Sequence, residues 1–234
     1  MLGEASAVAS TSVRVRGVSI GGAAGPLPVK LGVPDGFPPG AALVVVQEYW
    51  GMNGNIESFV HRLGSVGYVA IAPDLYRGKM TEEPDEAKKL SMELDRPAAL
   101  EDLRGCVSHV RNLGATAIGV IGFCMGGSLA WQLACTDDRL GAAIPFYGSF
   151  EDGDPLCPVQ AHFGTEDRFE PQALDELERR LDSLGNGSEV HRYQGAGHAF
   201  MNDTRDAYQP EQARVAWDRV LAFIERHLGA PVPV

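Results

Sequence analysis

The chain has 234 residues, of which 44% are hydrophobic, so it is long enough to bury a large core as one domain. Its formal net charge of −11 argues against a nucleic-acid or anionic-membrane partner, because both require a basic surface. No segment approaches the ~20 apolar residues of a membrane span, and the acidic amino terminus lacks a signal-peptide pattern, so we expect a cytoplasmic protein.

In chain order, the sequence predicts a hairpin at one edge of a sheet and then strands that alternate with helices. Residues 13–20 and 29–33 form the predicted hairpin, and residues 1–11 before it are expected to be a loose extension. Further strands are predicted over residues 41–48, 68–74, 118–123, 141–148, 158–164 and 188–194. Helices are predicted over residues 56–67, within 97–114, and over 127–136, 171–185 and 210–228. This alternation predicts a single α/β domain over residues 1–234, with a mostly parallel sheet of about seven or eight strands and helices on both faces.

The segment over residues 77–95 is the least regular part of the chain. It is polar and acidic and shows no strong hydrophobic period. Two interpretations stay open at this point, a lid over a site and a solvated connection.

The most informative stretch is AIGVIGFCMGGS, residues 117–128, where a predicted strand runs directly into a predicted helix. Glycines stand two positions before and two positions after Cys124, which is the G-x-S-x-G layout of a nucleophile elbow with cysteine in place of serine. Such a turn projects the sulfur at the carboxyl end of the sheet, where helix amides stabilise a thiolate and the Met125 N–H can donate to an oxyanion. The alternative is that Cys124 is a buried small hydrophobic residue and that the glycines only allow tight packing.

The other cysteines and histidines suggest no chemistry of their own. Cys106 and Cys135 fall in helical patterns and Cys157 in a loop, with no C-x-x-C pair and no metal-ligand spacing. We therefore predict no metal site and a reducing compartment. The remaining histidines lie within helical or strand patterns and are interpreted as structural or surface residues: His61, His109, His162, His191 and His227.

Three more residues follow predicted strands and are expected at the same carboxyl edge as the elbow: Glu48, Asp167 and His198. The chain order of nucleophile, acid and histidine is that of the α/β-hydrolases. His198 would take the thiol proton and later donate a proton to the leaving group, while Asp167 would fix the histidine tautomer. The alternatives are a turn histidine at His198, a capping role for Asp167 with Glu166 as the rival acid, and a solvated strand end at Glu48.

These positions belong to five motifs that together resemble the dienelactone hydrolase family, the carboxymethylenebutenolidases and their relatives. The motifs are QEYWG (47–51), APDLY (72–76), GFCMGG (122–127), GTED (164–167) and GHAF (197–200). The resemblance implies an α/β-hydrolase fold without metal or organic cofactor. It also implies the site residues, with Cys124 as nucleophile, His198 as base, Asp167 as its orienting acid, Glu48 assisting thiol activation, and an oxyanion hole of the Met125 and Tyr49 N–H groups.

The sequence departs from that family in the arginines that hold a substrate carboxylate. Arg77 follows the APDLY motif one residue out of place, with Lys79 two residues later. Position 202, four residues after the histidine, is Asn, and Arg205 comes further on. An asparagine cannot replace the bidentate contact of an arginine, so dienelactone itself is not the expected substrate. A partly apolar substrate pocket is expected from aromatic residues at strand ends: Tyr49, Trp50, Tyr76, Phe123, Tyr147 and Phe200.

We therefore expect a cysteine-dependent hydrolase that opens a small-molecule ester or lactone through an acyl-thioester on Cys124, as a monomer or small homo-oligomer. Two alternatives remain. One is a general carboxylesterase or thioesterase on the same fold, and the other is a non-catalytic redox sensor in which Cys124 is oxidised.

Overall fold

The computed structural model describes residues 12–34, 40–150 and 153–231, so the expected extension at residues 1–11 lies outside the described residues. Within those ranges eight strands form one sheet: β1 (Val13–Gly22), β2 (Gly25–Pro34), β3 (Ala41–Val46), β4 (Val69–Pro73), β5 (Ala117–Phe123), β6 (Ala142–Phe146), β7 (Gln160–Gly164) and β8 (Glu189–Tyr193). The strand order is β1-β2-β4-β3-β5-β6-β7-β8. From β4 to β8 every neighbouring pair is parallel, and only β1 and β2 run antiparallel to their neighbours. The predicted α/β class and sheet are confirmed.

Helices cover both faces of this sheet in the described part of the chain. They are α1 (Gly54–Ser65), α2 (Pro84–Glu93), α3 (Arg96–Asn112), α4 (Met125–Thr136), α5 (Pro171–Ser183) and α6 (Pro210–Leu228). Side chains from α3, α4 and α5 pack in one apolar cluster, and those from α1 and α6 pack in another. None of these helices is both long and apolar enough to cross a bilayer.

Strand β3 shows why the sheet needs helices on both sides. All six of its residues are buried. Ala42, Val44 and Val46 pack in one cluster, whereas Ala41, Leu43 and Val45 pack in the other. Successive side chains of a strand point to opposite faces, so an unbroken apolar run is buried only when both faces are covered.

The hairpin strand β2 is longer than its sequence suggests. It begins at Gly25 rather than at residue 29, and it contains Pro26 and Pro28. Proline lacks an N–H group and normally ends a strand pattern, but it keeps its carbonyl group. The Pro28 carbonyl accepts the Asp74 N–H at 2.8 Å, which ties β2 to the end of β4.

A helix that sequence reasoning missed, α2, lies within residues 77–95. Pro84 begins it, and Asp85 and Glu86 in its first turn complement the positive end of the helix dipole. Only Ala87 and Leu90 are buried, so just two positions face the core. The segment therefore contains a regular helix, and the Ser91 hydroxyl in its last turn donates to Met125 Sδ at 3.4 Å, beside the nucleophile elbow described below.

Candidate active site

Cys124 lies in the sharp turn between β5 and α4, with φ 55° and ψ −113°. A positive φ is rare for a residue with a side chain and costs about 1–3 kcal/mol. The surrounding backbone holds the turn, because the Cys124 N–H donates to the Phe146 carbonyl at 3.0 Å and the Ser128 N–H donates to the Cys124 carbonyl at 3.1 Å. Helix α4 begins at Met125, two residues earlier than predicted, because Cys124 itself is the N-cap residue.

The glycines of the GFCMGG motif are required by close backbone contacts. A Cβ at Gly122 would overlap the carbonyl of Gly126, and a Cβ at Gly126 would lie 2.5 Å from the Gln47 carbonyl and overlap that of Val46. These contacts are all with backbone atoms, which do not move aside as a flexible side chain does. The elbow therefore packs directly on the end of β3, which brings Cys124 to the edge where Glu48 follows that strand.

A continuous chain of contacts joins Cys124, His198 and Asp167. The Cys124 Sγ lies 3.1 Å from His198 Nε2, and His198 Nδ1 lies 3.0 and 2.9 Å from the two carboxylate oxygens of Asp167. The Asp167 side chain is only 1% exposed, whereas Glu166 is exposed to solvent. Asp167 is thus the acid that contacts the histidine. With a carboxylate against Nδ1, the Nδ1 proton is held there and Nε2 faces the sulfur.

The electrostatics of this chain favour a charged histidine. Burial opposes the imidazolium, but hydrogen bonds and negative charge from Asp167 and Cys124 outweigh burial and raise the pKa of His198 from 6.5 to about 9. An imidazolium beside the sulfur stabilises a thiolate, which is the nucleophilic form of cysteine.

Glu48 is buried beside this chain. It is 1% exposed, and its two carboxylate oxygens accept hydrogen bonds from the Tyr147 hydroxyl, at 3.2 Å, and from the Asn202 amide. Burial raises the pKa of Glu48, while the Asn202 hydrogen bond, the charge of His198 and the Tyr147 hydrogen bond partly oppose that rise. The Tyr147 ring also contacts the His198 ring, with centroids 5.0 Å apart.

The side chain of Asn202 is oriented by its own neighbours. Its Oδ1 accepts hydrogen bonds from the Thr204 N–H at 3.0 Å and from the Thr204 hydroxyl at 2.7 Å. Since Oδ1 is occupied there, the Nδ2 group faces Glu48 and can only donate. The residue in the position of the expected arginine is therefore a neutral donor to the buried carboxylate.

Cys124 and His198 open onto a cleft of about 320 Å³, a volume at the small end of the range for ligand sites. The residues that line it are Tyr49, Ser91, Arg96, Cys124, Met125, Ser128, Ser149, Arg168 and His198. Within the described residues, neither the Met125 N–H nor the Tyr49 N–H donates a hydrogen bond. Met125 directly follows Cys124 at the elbow, and Tyr49 directly follows Glu48.

Several residues expected in the pocket lie elsewhere. The guanidinium of Arg77 lies 2.7 Å from Asp102, and Arg77 and Lys79 line a separate cavity. Phe123 and Phe200 are fully buried in the core, where Phe123 stacks on Phe59 and on Phe146. Tyr76, Trp50 and Arg205 do not line the cleft. The Tyr76 hydroxyl contacts Met125 Sδ at 3.3 Å, and the Arg205 guanidinium lies over the Trp50 ring, 3.6 Å from its centroid.

Sequence reasoning also missed residues that do line the cleft, notably Ser91, Arg96 and Arg168. Arg168 could have been found, because it directly follows Asp167 in the chain. Ser91 and Arg96 carried no signal, since their position depends on α2 and on how α3 begins. No cluster of three His, Cys, Asp or Glu side chains that could hold a metal ion occurs in residues 12–34, 40–150 and 153–231.

Comparison with known proteins identifies relatives over most of the chain. The model of the dienelactone hydrolase family matches residues 27–228. Protein usf of Aquifex pyrophilus is 30% identical over 211 residues, which cover 81% of this chain and 89% of that protein. A protein of Aquifex aeolicus named "Putative carboxymethylenebutenolidase" is also 30% identical, with the same coverage of 81% and 89%.

A solved structure shows the same architecture. The crystal structure titled "Putative Dienelactone Hydrolase" from Klebsiella pneumoniae superposes with a TM-score of 0.82 at 27% identity, covering 92% of this chain and 99% of that one. The similarity therefore extends over the whole sheet and its helices, and not over the elbow alone.

Proposed function

The chain belongs to the dienelactone hydrolase family, whose members act on ester or lactone bonds, and from that premise we propose that it opens an activated ester or lactone through an acyl-thioester on Cys124. The observation that carries this proposal is the unbroken contact chain from the Cys124 sulfur through His198 to Asp167. A nucleophile, a base within hydrogen-bond reach, and an acid that orients the base are the parts that acyl transfer requires.

The proposed reaction has two halves. The Cys124 thiolate attacks the acyl carbon, and the imidazolium of His198 donates its Nε2 proton to the leaving oxygen as the C–O bond breaks. A water molecule then attacks the thioester, with neutral His198 as its base, and the thiolate leaves as the carboxylic acid forms. Asp167 stabilises the imidazolium in both halves and stays ionised.

Two backbone groups form the proposed oxyanion hole. The N–H groups of Met125 and Tyr49 have no acceptor within the described residues, and both residues line the cleft. Met125 is the first residue of α4, so its N–H also lies at the positive end of that helix. Fixed donors of this kind stabilise the negative charge that develops on the carbonyl oxygen in the transition state.

Glu48 is proposed to assist activation of the thiol, as its counterpart does in the family. Burial raises the pKa of its carboxyl group, so the ionised form is a stronger base than a solvated carboxylate. Its hydrogen bonds come from Tyr147 and Asn202, which are both neutral donors. Glu48 thus keeps its basicity, which a permanent contact with an arginine would reduce.

Activated substrates suit this machinery best. A thiolate is itself a good leaving group from a tetrahedral intermediate, so enol or aryl esters with a good leaving group are cleaved in preference to amides. We propose a reducing, cytoplasmic setting, since a cysteine nucleophile must stay unoxidised.

The test compares hydrolysis of a dienelactone, a neutral enol ester and a p-nitrophenyl ester by native protein and by Cys124→Ala. Cys135→Ala is the matched control, because it removes a half-buried thiol that does not line the cleft. We expect Cys124→Ala to lower kcat/KM by at least about 1,000-fold on every substrate that the native protein cleaves. Retention of full activity in Cys124→Ala would overturn the proposal.

The same panel separates the alternatives. Turnover of neutral esters alone identifies a general carboxylesterase on this fold. Absence of turnover on all three substrates, combined with reversible oxidation of Cys124, favours the redox sensor.

A further inference from the structure

The proposed reacting groups come from two parts of the sheet. Glu48 follows β3 and Cys124 follows β5, whereas Asp167 follows β7 and His198 follows β8. Strand β6 lies between β5 and β7 in the sheet order. The distance between the nucleophile and its base therefore depends on how β6 meets β7.

The joint between β6 and β7 is short. Strand β5 pairs with β6 over five consecutive residues, and β7 pairs with β8 over five. The β6–β7 ladder consists of Phe146 opposite His162, and an isolated bridge between Ala143 and Val159 adds a second point. The Phe146 and His162 rings stack with their centroids 4.1 Å apart. Because the ladder is so short, side chains at the end of β6 contribute to holding the two parts of the site together.

Tyr147 directly follows β6 and contacts both parts of the site. Its N–H donates to the His162 carbonyl of β7 at 2.8 Å. Its hydroxyl donates to Glu48 Oε1 at 3.2 Å, and the centroid of its ring lies 5.0 Å from that of the His198 ring. The side chain is fully buried and does not line the cleft, so it is not the pocket residue that the sequence predicts.

The backbone of Tyr147 is held in a strained conformation, with φ 41°. The next residue, Gly148, packs against the start of α4, where an added Cβ would lie 2.4 Å from backbone atoms of Gly127 and Ser128. Together with the Tyr147 N–H hydrogen bond, this close packing leaves the backbone little room to relax. Strain of this kind persists only where the surrounding structure imposes it, and it is concentrated at functional sites.

Toward Glu48, the Tyr147 hydroxyl acts as a neutral hydrogen-bond donor. Burial raises the pKa of Tyr147 well above its ordinary value, and the negative charges of Glu48 and Cys124 raise it further, so the phenol keeps its proton. Burial also raises the pKa of Glu48, and the Tyr147 hydrogen bond is one of the contributions that oppose this rise. The hydroxyl therefore both orients the carboxylate and favours its ionised form.

We propose that Tyr147 is a positioning residue that joins the two parts of the site, holding the Glu48 carboxylate through its hydroxyl and the His198 imidazole through its ring. This inference rests on the proposed function, in which both groups act on the Cys124 thiol. An aromatic side chain is rigid, so one ring fixes two proton acceptors relative to each other. Proton transfer requires such fixed geometry, because small displacements of the reacting groups lower the rate.

The first experiment removes the hydroxyl alone. In Tyr147→Phe the ring remains and the Glu48 carboxylate loses one donor. Infrared titration of the protonated Glu48 carboxyl group, assigned by its absence in Glu48→Gln, should give a midpoint about one pH unit above the native one. Tyr68→Phe is the matched control, because Tyr68 is also buried and its hydroxyl donates to the Gly229 carbonyl, so its Glu48 midpoint should equal the native one.

The second experiment follows the same change through catalysis. We expect the acidic limb of the pH profile of kcat/KM to move to higher pH by the same amount in Tyr147→Phe and to stay in place in Tyr68→Phe. In a Glu48→Gln background, Tyr147→Phe should change kcat/KM by less than about twofold, because no carboxylate remains for the hydroxyl to orient. A purely structural role would lower kcat/KM equally in both backgrounds and leave the acidic limb in place.

A third variant, Tyr147→Leu, tests the ring. It removes the hydroxyl and also the ring that contacts His198. We expect kcat/KM to fall at least about tenfold further than in Tyr147→Phe, because the imidazole loses the surface that orients it. Equal values in the two variants would overturn the role of the ring.

These measurements separate failure of the positioning role from failure of the hydrolase. If hydrolysis depends on Cys124 but neither the Glu48 titration nor the acidic limb moves in Tyr147→Phe, the positioning role is wrong and the hydrolase stands. If no ester is cleaved but the Glu48 titration moves in Tyr147→Phe and not in Tyr68→Phe, the hold of Tyr147 on Glu48 stands and the proposed reaction is wrong.

Discussion

Replacing Asp167 by asparagine tests directly whether Asp167 raises the pKa of His198. Both carboxylate oxygens of Asp167 contact His198 Nδ1, and the side chain is 1% exposed. The rise in the pKa of His198 from 6.5 to about 9 corresponds to about 3 kcal/mol in favour of the imidazolium. Asp167 supplies the largest of the contributions that raise this pKa, its hydrogen bond, and a smaller one through its charge, while Cys124 supplies the other two. A neighbouring carboxylate typically accounts for about 1–3 pH units, so we expect a His198 pKa between about 6 and 8 in Asp167→Asn.

The direct assay is an NMR titration of the His198 imidazole, assigned by its absence in His198→Ala. Activity should fall with the pKa, by about 100-fold in kcat/KM, because a poorly oriented neutral histidine is a weaker partner for the thiol. The pH dependence of the unfolding free energy tests the His198 charge independently of activity. The charge of His198 contributes stability that is present in full below pH 6.5 and is lost as the pH rises through about 9. The difference in unfolding free energy between native protein and Asp167→Asn should therefore be larger at pH 6 than at pH 9.5.

Glu166→Gln is the matched control, since it removes the same charge one residue earlier from an exposed side chain. We expect its His198 titration and its kcat/KM to remain within about twofold of the native values, as for an exposed charge that makes little contribution. The reasoning is refuted if the His198 pKa stays near 9 in Asp167→Asn, or if Glu166→Gln lowers it by as much.

Two further substitutions probe the support of the site. Asn202→Leu removes a donor from the buried Glu48 carboxylate, so we expect the unfolding free energy measured in urea to fall by about 1–3 kcal/mol at pH 8. The fall should be smaller at pH 5, because the raised pKa of Glu48 favours its protonated form there. An equal fall at both pH values would contradict a charge effect. Gly126→Ala should lower the unfolding free energy by more than about 2 kcal/mol, since the new Cβ overlaps the Val46 carbonyl. Gly105→Ala within α3 is the control, because a Cβ there meets only the Gly21 carbonyl at 3.4 Å, and it should raise the unfolding free energy by up to about 1 kcal/mol. Equal effects of the two substitutions would rule out the steric argument.

Most of the fold was predictable because its signals are local. The continuous apolar run of β3 and the alternation of strand and helix depend on side-chain pattern alone, and both were predicted. Helix α2 was missed because only Ala87 and Leu90 face the core, which leaves too weak a period to detect. Strand β2 was predicted too short because Pro26 and Pro28 are poor strand formers, and only the pairing with neighbouring strands shows that their carbonyl groups still take part.

The catalytic candidates were predictable for a different reason. Cys124, Asp167 and His198 each follow a strand of a parallel sheet, and the carboxyl ends of parallel strands meet at one edge whatever the loops between them do. The structure brings these three side chains into one chain of contacts. Their catalytic roles remain a proposal that the substitutions above test.

The sequence by itself thus determined the α/β class, the order of the elements and the edge of the sheet where reactive side chains gather, because periodicity and chain order carry that information. Only the tertiary structure decided which charges meet. It places Arg77 on Asp102, turns the Asn202 amide toward Glu48, and brings Arg96 and Arg168 from distant segments into the cleft of Cys124. A long side chain can reach several partners from one backbone position, so its contact depends on the packing of helices and loops that are remote in the chain.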